Sequence, residues 1–498
     1  MLQGTASGVG KSLLTAAFCR IFARRGWRVA PFKAQNMALN AAVTAGGGEI
    51  GRAQAAQAEA AGVEPTVDMN PILLKPERDD RSQVVVRGVP VGSMTFCEYG
   101  RRRPALLPIV IESLERLRQS HDLVVIEGAG SPAEINLADG EIVNMCIARL
   151  AEAPVLLVGD IDRGGVFAAF VGTLALLAPE DRARVAGFIV NKFRGDATLL
   201  APGLETLVAL TALPVLGVVP YLEAGLVPAE DSLDLEIAPP PSGAHRLDIA
   251  VIRLPRIANF DDVEPLAREP DVRVRFVDAA GGLAGADLII LPGSKSTMAD
   301  LDWMRSRGLA RALLAEASRD TPVIGICGGY QMLGTALYDS EGIESPAATA
   351  PGLGLLDVRT TFAPVKTTVR VRGRVEAGDG LLAAARGTEI DGYEIHTGRS
   401  VVGAGPRPFA IVERGGQPAR DDDGALSLDG RVMGTYIHGL FASAALRRAL
   451  LESLARRKGI ARDPRWGADE RPVARYDRLA DAVAAAVDVP AIIRLARL

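Results

Sequence analysis

The chain has 498 residues, 48% hydrophobic and 23% charged; at roughly 100–200 residues per domain this allows several domains, each burying its own core. A formal net charge of −4 argues against a protein that coats nucleic acid, but not against a nucleotide held at a local site. Four cysteines, Cys19, Cys97, Cys146 and Cys327, show no CxxC pair or zinc spacing, which points to a reducing, cytoplasmic setting without disulfides. In chain order, the first element is a glycine-rich turn, "GTASGVGKS", Gly4 to Ser12. Only Met1 to Gln3 precede it, so the strand delivering it is expected to be very short or to begin upstream. No secretory leader is read. "WRVAPFK", "LVVIEGAG", "APVLLVGD", "VAGFIVNK" and "LPVLGVVP" follow as apolar strands separated by helical stretches, the pattern of a parallel sheet covered on both faces. The longest uncharged apolar run, Thr206 to Leu222, is broken by Pro214 and Pro220, against a membrane span.

"APPPSGAH", residues 238–245, reads as a linker, since three prolines and a glycine let no element continue. "LDIAVIRL", "ADLIILPG" and "TPVIGICGG" then open a second α/β series. "ERGGQPARDDDGALSLDG" reads as a polar hairpin, and "RVMGTYIHG" as a last strand. The expected architecture is two α/β domains, 1–237 and 246–498, each a mainly parallel sheet with helices on both faces. The Ala-rich C-terminal tail is expected to be helical and to pack on the second domain.

The turn has what a phosphate cradle needs. Gly4, Gly8 and Gly10 let backbone N–H groups converge, with Thr5, Ser7 and Val9 completing the loop. Lys11 can reach the β and γ phosphates of ATP, and the Ser12 hydroxyl can ligate Mg²⁺. The first glycine stands one residue earlier than in the usual phosphate loop. This variant resembles the loop of dethiobiotin synthetase and its relatives, which activate carboxylates with ATP. The resemblance implies a phosphate-contacting role for Lys33, a Mg²⁺-ligand role for Glu127 and an adenine contact for Asn191. In an open parallel sheet these strand ends converge on one edge. A second magnesium carboxylate is left open between Glu49 and Asp160.

Cys327 follows an apolar strand directly and precedes Gly328, Gly329 and a helix-like run. Such an elbow exposes a nucleophile, and a helix N-terminus stabilises a thiolate. A thiol nucleophile needs a base. Of four histidines, His121 lies at the wrong strand end and His245 in the linker, leaving His396 and His438. The elbow resembles that of triad-type glutamine amidotransferases, "GTYIHGLF" their histidine strand, and "LPGSKST" their oxyanion strand. This implies Cys327 as nucleophile, His438 as base, and the N–H groups of Gly293 and Gly328 as the oxyanion hole. Where those enzymes carry glutamate two residues after the histidine, this chain has Leu440. Cys327 and His438 are therefore expected to form a dyad, with another group orienting the imidazole. His396 is left as a supporting or substrate contact.

The two domains in this order resemble the corrin amidases of vitamin B12 synthesis. "FKAQNMALN", "GRAQAAQAEAAGVEPTVDMNPILLKP", "EGAGSPAEINL", "DIDRGGVFA", "NKFRGD" and "PAEDSL" carry the likeness over nearly the whole chain. It implies ATP- and glutamine-dependent amidation of the b, d, e and g carboxylates of adenosylcobyrinic acid a,c-diamide. The rival within the family is the sister enzyme that installs the a and c amides. A rival outside it is a ParA/MinD-like switch ATPase, which carries an extra lysine where Thr5 and Ala6 stand and leaves the thiol elbow without a use.

Overall fold

The computed structural model describes residues 1–137, 140–222, 225–228, 245–345, 347–468 and 472–498. The expected linker at 238–245 lies outside the described residues except for His245, as does most of "PAEDSL". In the first half, four parallel strands run in the order Leu2–Gly4, Val155–Asp160, Val185–Phe193, Val215–Pro220. A second parallel pair, Val29–Phe32 with Leu123–Ile126, joins this sheet through a parallel bridge from Leu2 to Glu127. The strand before the phosphate loop spans Leu2–Gly4. Its three residues are buried and hydrogen-bonded on both sides, to Val155–Asp160 and to the Glu127 strand end.

All five predicted strands of this half form, and each is nearly continuous in apolar residues because both faces are covered. A meander not anticipated from the sequence accompanies them: Ile72–Arg78, Arg81–Val86 and Val89–Thr95, to which Gln35–Met37 adds in parallel.

The second half has a six-stranded sheet in the order Val272–Val277, Leu247–Ile252, Leu288–Leu291, Val323–Ile326, Val432–Thr435, Ala425–Leu426. Its pairings are parallel except the last. Packed beside it is a largely antiparallel sheet built on two long strands, Val358–Val375 and Glu389–Val402. The predicted polar hairpin belongs here: Phe409–Arg414 and Gln417–Asp423 pair across Gly415 and Gly416, both with positive φ. Two left-handed residues match the twist of a tight hairpin, so glycine fits both positions.

The C-terminal tail departs from expectation. It is helical, over Pro472–Ala486 and Val489–Leu495, but it packs on the first domain. Tyr476, Leu479, Ala480 and Val483 form one apolar helix face. They are buried in the same core as Leu14, Phe18 and Phe22 of the helix Lys11–Ala23. Arg20–Asp477 (2.7 Å) and Arg24–Asp481 (2.6 Å) flank that contact. Alanine content announces the helix but not its destination, because the stripe is complementary to the phosphate-loop helix rather than to anything nearby in sequence.

The halves meet over a polar seam. Glu49 is fully buried between Lys75 and Lys366, with Lys366 Nζ at 2.6 Å. Burial alone would raise its carboxyl, yet the two ammonium groups bring it down to about 2. Glu49 is thus committed to an ion-pair cluster between the domains, and the structure does not bring it to the phosphate loop. No described helix is long and apolar enough to cross a membrane.

Candidate functional sites and the family of the chain

The phosphate loop follows from its glycines. Gly8 and Gly10 have φ of +71° and +95°, the left-handed region that suits residues without a Cβ. Gly4 is needed for a different reason. A Cβ there would lie 2.7 Å from Val9 Cγ2 and 2.9 Å from Lys11 Nζ. The early glycine is therefore the one over which the loop folds its lysine. Lys11 Nζ donates to Ala6 O (3.0 Å) and Gly130 O (3.1 Å), so the ammonium sits inside the loop's curve.

Glu127 ends its strand beneath this loop and is 1% exposed. One carboxylate oxygen accepts from Ser12 Oγ and Lys33 Nζ, both at 2.8 Å. The other accepts from Gln57 Nε2 at 2.6 Å. Burial opposes the charged form, but Lys33 and these hydrogen bonds hold the carboxyl below its ordinary value. Ser12 and Glu127 together offer two adjacent hard oxygens, the donor type Mg²⁺ prefers beside phosphate oxygens and water. Asp160, at the next strand end but one, takes Lys192 Nζ at 2.9 Å, and Lys192 also donates to Gly8 O at 2.7 Å. Of the two carboxylates left open by the sequence, only Asp160 reaches the loop region. Asn191 is buried, its Nδ2 donating to Val9 O at 2.8 Å. One N–H of that amide thus braces the loop, while its second N–H and its Oδ1 are further hydrogen-bonding groups on the same side chain.

In the second half, Cys327 stands between the strand Val323–Ile326 and the helix Gly328–Leu333, at φ 51° and ψ −108°. Such a backbone is strained for a residue with a Cβ, as at other nucleophile elbows. Two contacts pin it: its N–H donates to Thr435 O at 2.8 Å, and Sγ lies 3.4 Å from Ile395 O. Gly293 and Gly328 are where close approach demands glycine. A Cβ on Gly293 would lie 2.8 Å from Ala258 O and 3.3 Å from His438 Cε1; one on Gly328 would lie 2.9 Å from Ser294 N. The "LPGS" turn thus packs against the elbow and the imidazole.

The group that orients His438 is Asp262. His438 Nδ1 and Asp262 Oδ2 are 2.7 Å apart, and Gly439 N donates to Asp262 Oδ1, also at 2.7 Å. Both side chains are nearly fully buried. Burial would lower the imidazole's pKa, but the Asp262 carboxylate, helped by a hydrogen bond with Cys327, raises it to about 10. Tyr393 stacks on the ring at 5.3 Å and 19°. Cys327, His438 and Asp262 therefore form a connected triad.

Sequence reasoning missed Asp262, which lies on the short turn Phe260–Val263, far in sequence from the histidine. Leu440, at the usual glutamate position, is buried in the apolar core. The only local signal was the paired acids of "NFDDVE" after a strand. His396 is placed otherwise: Nδ1 contacts Gly398 O (2.8 Å), Nε2 contacts Glu394 (3.2 Å), and the ring stacks on Tyr436. Both its nitrogens are engaged by groups other than the thiol.

These roles separate by mutation. A general base contributes about 10²–10⁴-fold, and His438→Asn is expected to lose glutaminase turnover on that scale. Asp262→Asn should follow it, since the imidazole then loses both its orienting acceptor and the charge facing it. His396→Asn should change turnover far less. Steady-state glutamine hydrolysis checks this, and a His396→Asn loss as large as that of His438→Asn would reverse the assignment.

Residues 1–231 match the CobQ/CobB/MinD/ParA nucleotide binding domain, and residues 248–446 match the CobB/CobQ-like glutamine amidotransferase domain. A cobyric acid synthase of Sorangium cellulosum is 58% identical over 98% of this chain and 96% of its own. One from Dehalococcoides mccartyi is 51% identical over 98% and 96%, and one from Photorhabdus laumondii 55% over 93% and 90%. The two matched regions coincide with the halves that carry the phosphate loop and the thiol elbow, and the chain accordingly belongs to the cobyric acid synthase family of glutamine-dependent amidoligases.

Proposed function

We propose that this enzyme converts adenosylcobyrinic acid a,c-diamide to adenosylcobyric acid, amidating the b, d, e and g carboxylates with ATP and glutamine. The observation that carries the reading is the presence, in one chain, of a lysine-lined phosphate loop and a buried Cys–His–Asp triad across a shared seam. In the first site a corrin carboxylate attacks the γ-phosphate of ATP. Lys11, folded into the loop, and Lys33, beside Glu127, face the charge that grows on the transferred group, giving an acyl phosphate. Ser12 and Glu127 would hold Mg²⁺, which supplies further neutralisation of the phosphate oxygens.

In the second site the Cys327 thiolate attacks the glutamine amide carbon, and Gly293 and Gly328 N–H groups receive the oxyanion. The His438 imidazolium, held by Asp262, gives its proton to the departing ammonia, leaving a thioester that water hydrolyses. Ammonia then displaces phosphate from the acyl phosphate. The setting for this chemistry is the cytoplasm.

The substrate assignment is checked by the mass of the corrinoid formed with ATP and glutamine. The a,c-diamide is expected to gain four amides, with partly amidated species early in the reaction. An inert a,c-diamide, with cobyrinic acid itself gaining two amides, would move the assignment to the sister activity.

A further inference from the structure

One helix, Arg52–Ala61, touches both sites. Partway along it Gln57 donates to Glu127 Oε2 at 2.6 Å and to Ser12 O at 3.3 Å, so its side chain is part of the surroundings of the phosphate loop. At its first residue, about 7 Å away along the axis, Arg52 crosses the seam. Its Nε lies 3.0 Å from Asp261 Oδ2, while Nη1 holds Glu59 at 2.9 Å on the next turns of the same helix. Asp261 adjoins Asp262, the carboxylate that orients His438. The backbone reinforces the crossing, because Arg52 N donates to Asn40 O and Asn40 Oδ1 accepts from Phe260 N, both at 3.2 Å.

We propose that Arg52 is a positioning residue that couples the phosphate loop to the glutaminase triad. Any change in how Glu127 is shared among Ser12, Lys33 and Gln57 is felt by this helix, whose guanidinium fixes the turn carrying Asp262. The electrostatics of the turn make it sensitive to that anchor. The Asp261 side chain is only 10% exposed and adjoins a second carboxylate, and its Oδ1 has no hydrogen-bond partner among the described residues. Burial raises its carboxyl to about 7 even with Arg52 opposing that shift and Asp262 adding to it. Without the guanidinium, the turn loses the contact that holds Asp261, and with it the placement of the neighbouring Asp262 acceptor that faces His438 Nδ1.

The proposal rests on the two-site reading above, and its test keeps the two apart. Glutamine hydrolysis by the full-length enzyme is measured with and without ATP, Mg²⁺ and the a,c-diamide, alongside amidation from free ammonia. The wild type is expected to hydrolyse glutamine faster when the first site is loaded. Arg52→Gln and Asp261→Asn should each cut that rise by roughly tenfold, within the ~5–150-fold range of such couplings, through kcat rather than the glutamine KM. Arg52→Lys, which keeps the charge, should restore part of it, and amidation from ammonia should persist in all three. A rise undiminished in Arg52→Gln, a wild type indifferent to loading, or a proportional loss of ammonia-dependent amidation would each overturn the role of Arg52. A wild type unable to form amide from ammonia and ATP would instead contradict the two-site reading itself.

Discussion

Replacing Cys327 by alanine is expected to abolish amide formation from glutamine while leaving amidation from free ammonia intact. The sulfur sits at a strained elbow, in reach of an imidazolium whose other nitrogen is held by Asp262. Nothing else in that site can form the thioester, so the loss should be to background rather than partial. The alanine fits the same backbone, since Cys327 already carries a Cβ at φ 51°, and the elbow should keep its shape. The first site lies in a different domain around Glu127 and shares no residue with the triad. Assays with each nitrogen donor check this; equal loss with both would mean that one site performs both half-reactions.

Replacing Lys11 by alanine should have the complementary effect, eliminating amidation with either donor. Its ammonium occupies the inside of the loop, bonded to Ala6 O and Gly130 O, where the transferred phosphate would sit against it. Loss of a preorganised donor to a developing charge costs about 10²–10³-fold; here binding of the phosphates is lost as well. Glutamine hydrolysis without ATP should survive, because the triad contacts none of these groups. ATP-dependent phosphate release and unstimulated glutaminase, measured on one preparation, separate the outcomes. Amidation retained in Lys11→Ala would place phosphoryl transfer elsewhere.

The features legible in the sequence are those that short-range rules dictate. Apolar strands covered on both faces announce themselves, and a loop that must bring Lys11 within 2.9 Å of a would-be Gly4 Cβ requires glycine there. Glu127 and Lys33 were readable as strand ends of a parallel sheet, since topology alone sends them to one edge.

What was not legible depends on tertiary partners. Asp262 reaches His438 across the top of the second sheet, and no spacing rule relates them. Glu49 looks like any strand-end carboxylate until Lys75 and Lys366 close on it from two domains. The tail helix carries a clear apolar stripe, but a stripe does not say which surface it fits. Arg52 reads as an ordinary N-terminal helix residue until the seam supplies Asp261.

If ATP activates a corrin carboxylate that then receives nitrogen released from glutamine, isotopes should follow both transfers in a single experiment. The substrate is a,c-diamide bearing heavy oxygen in its free carboxylates, supplied with glutamine bearing heavy nitrogen in its amide. Each new amide should carry heavy nitrogen, and one heavy oxygen should appear in phosphate for every amide formed, as an acyl phosphate requires. Phosphate free of heavy oxygen, with amides still formed, would contradict the acyl-phosphate mechanism.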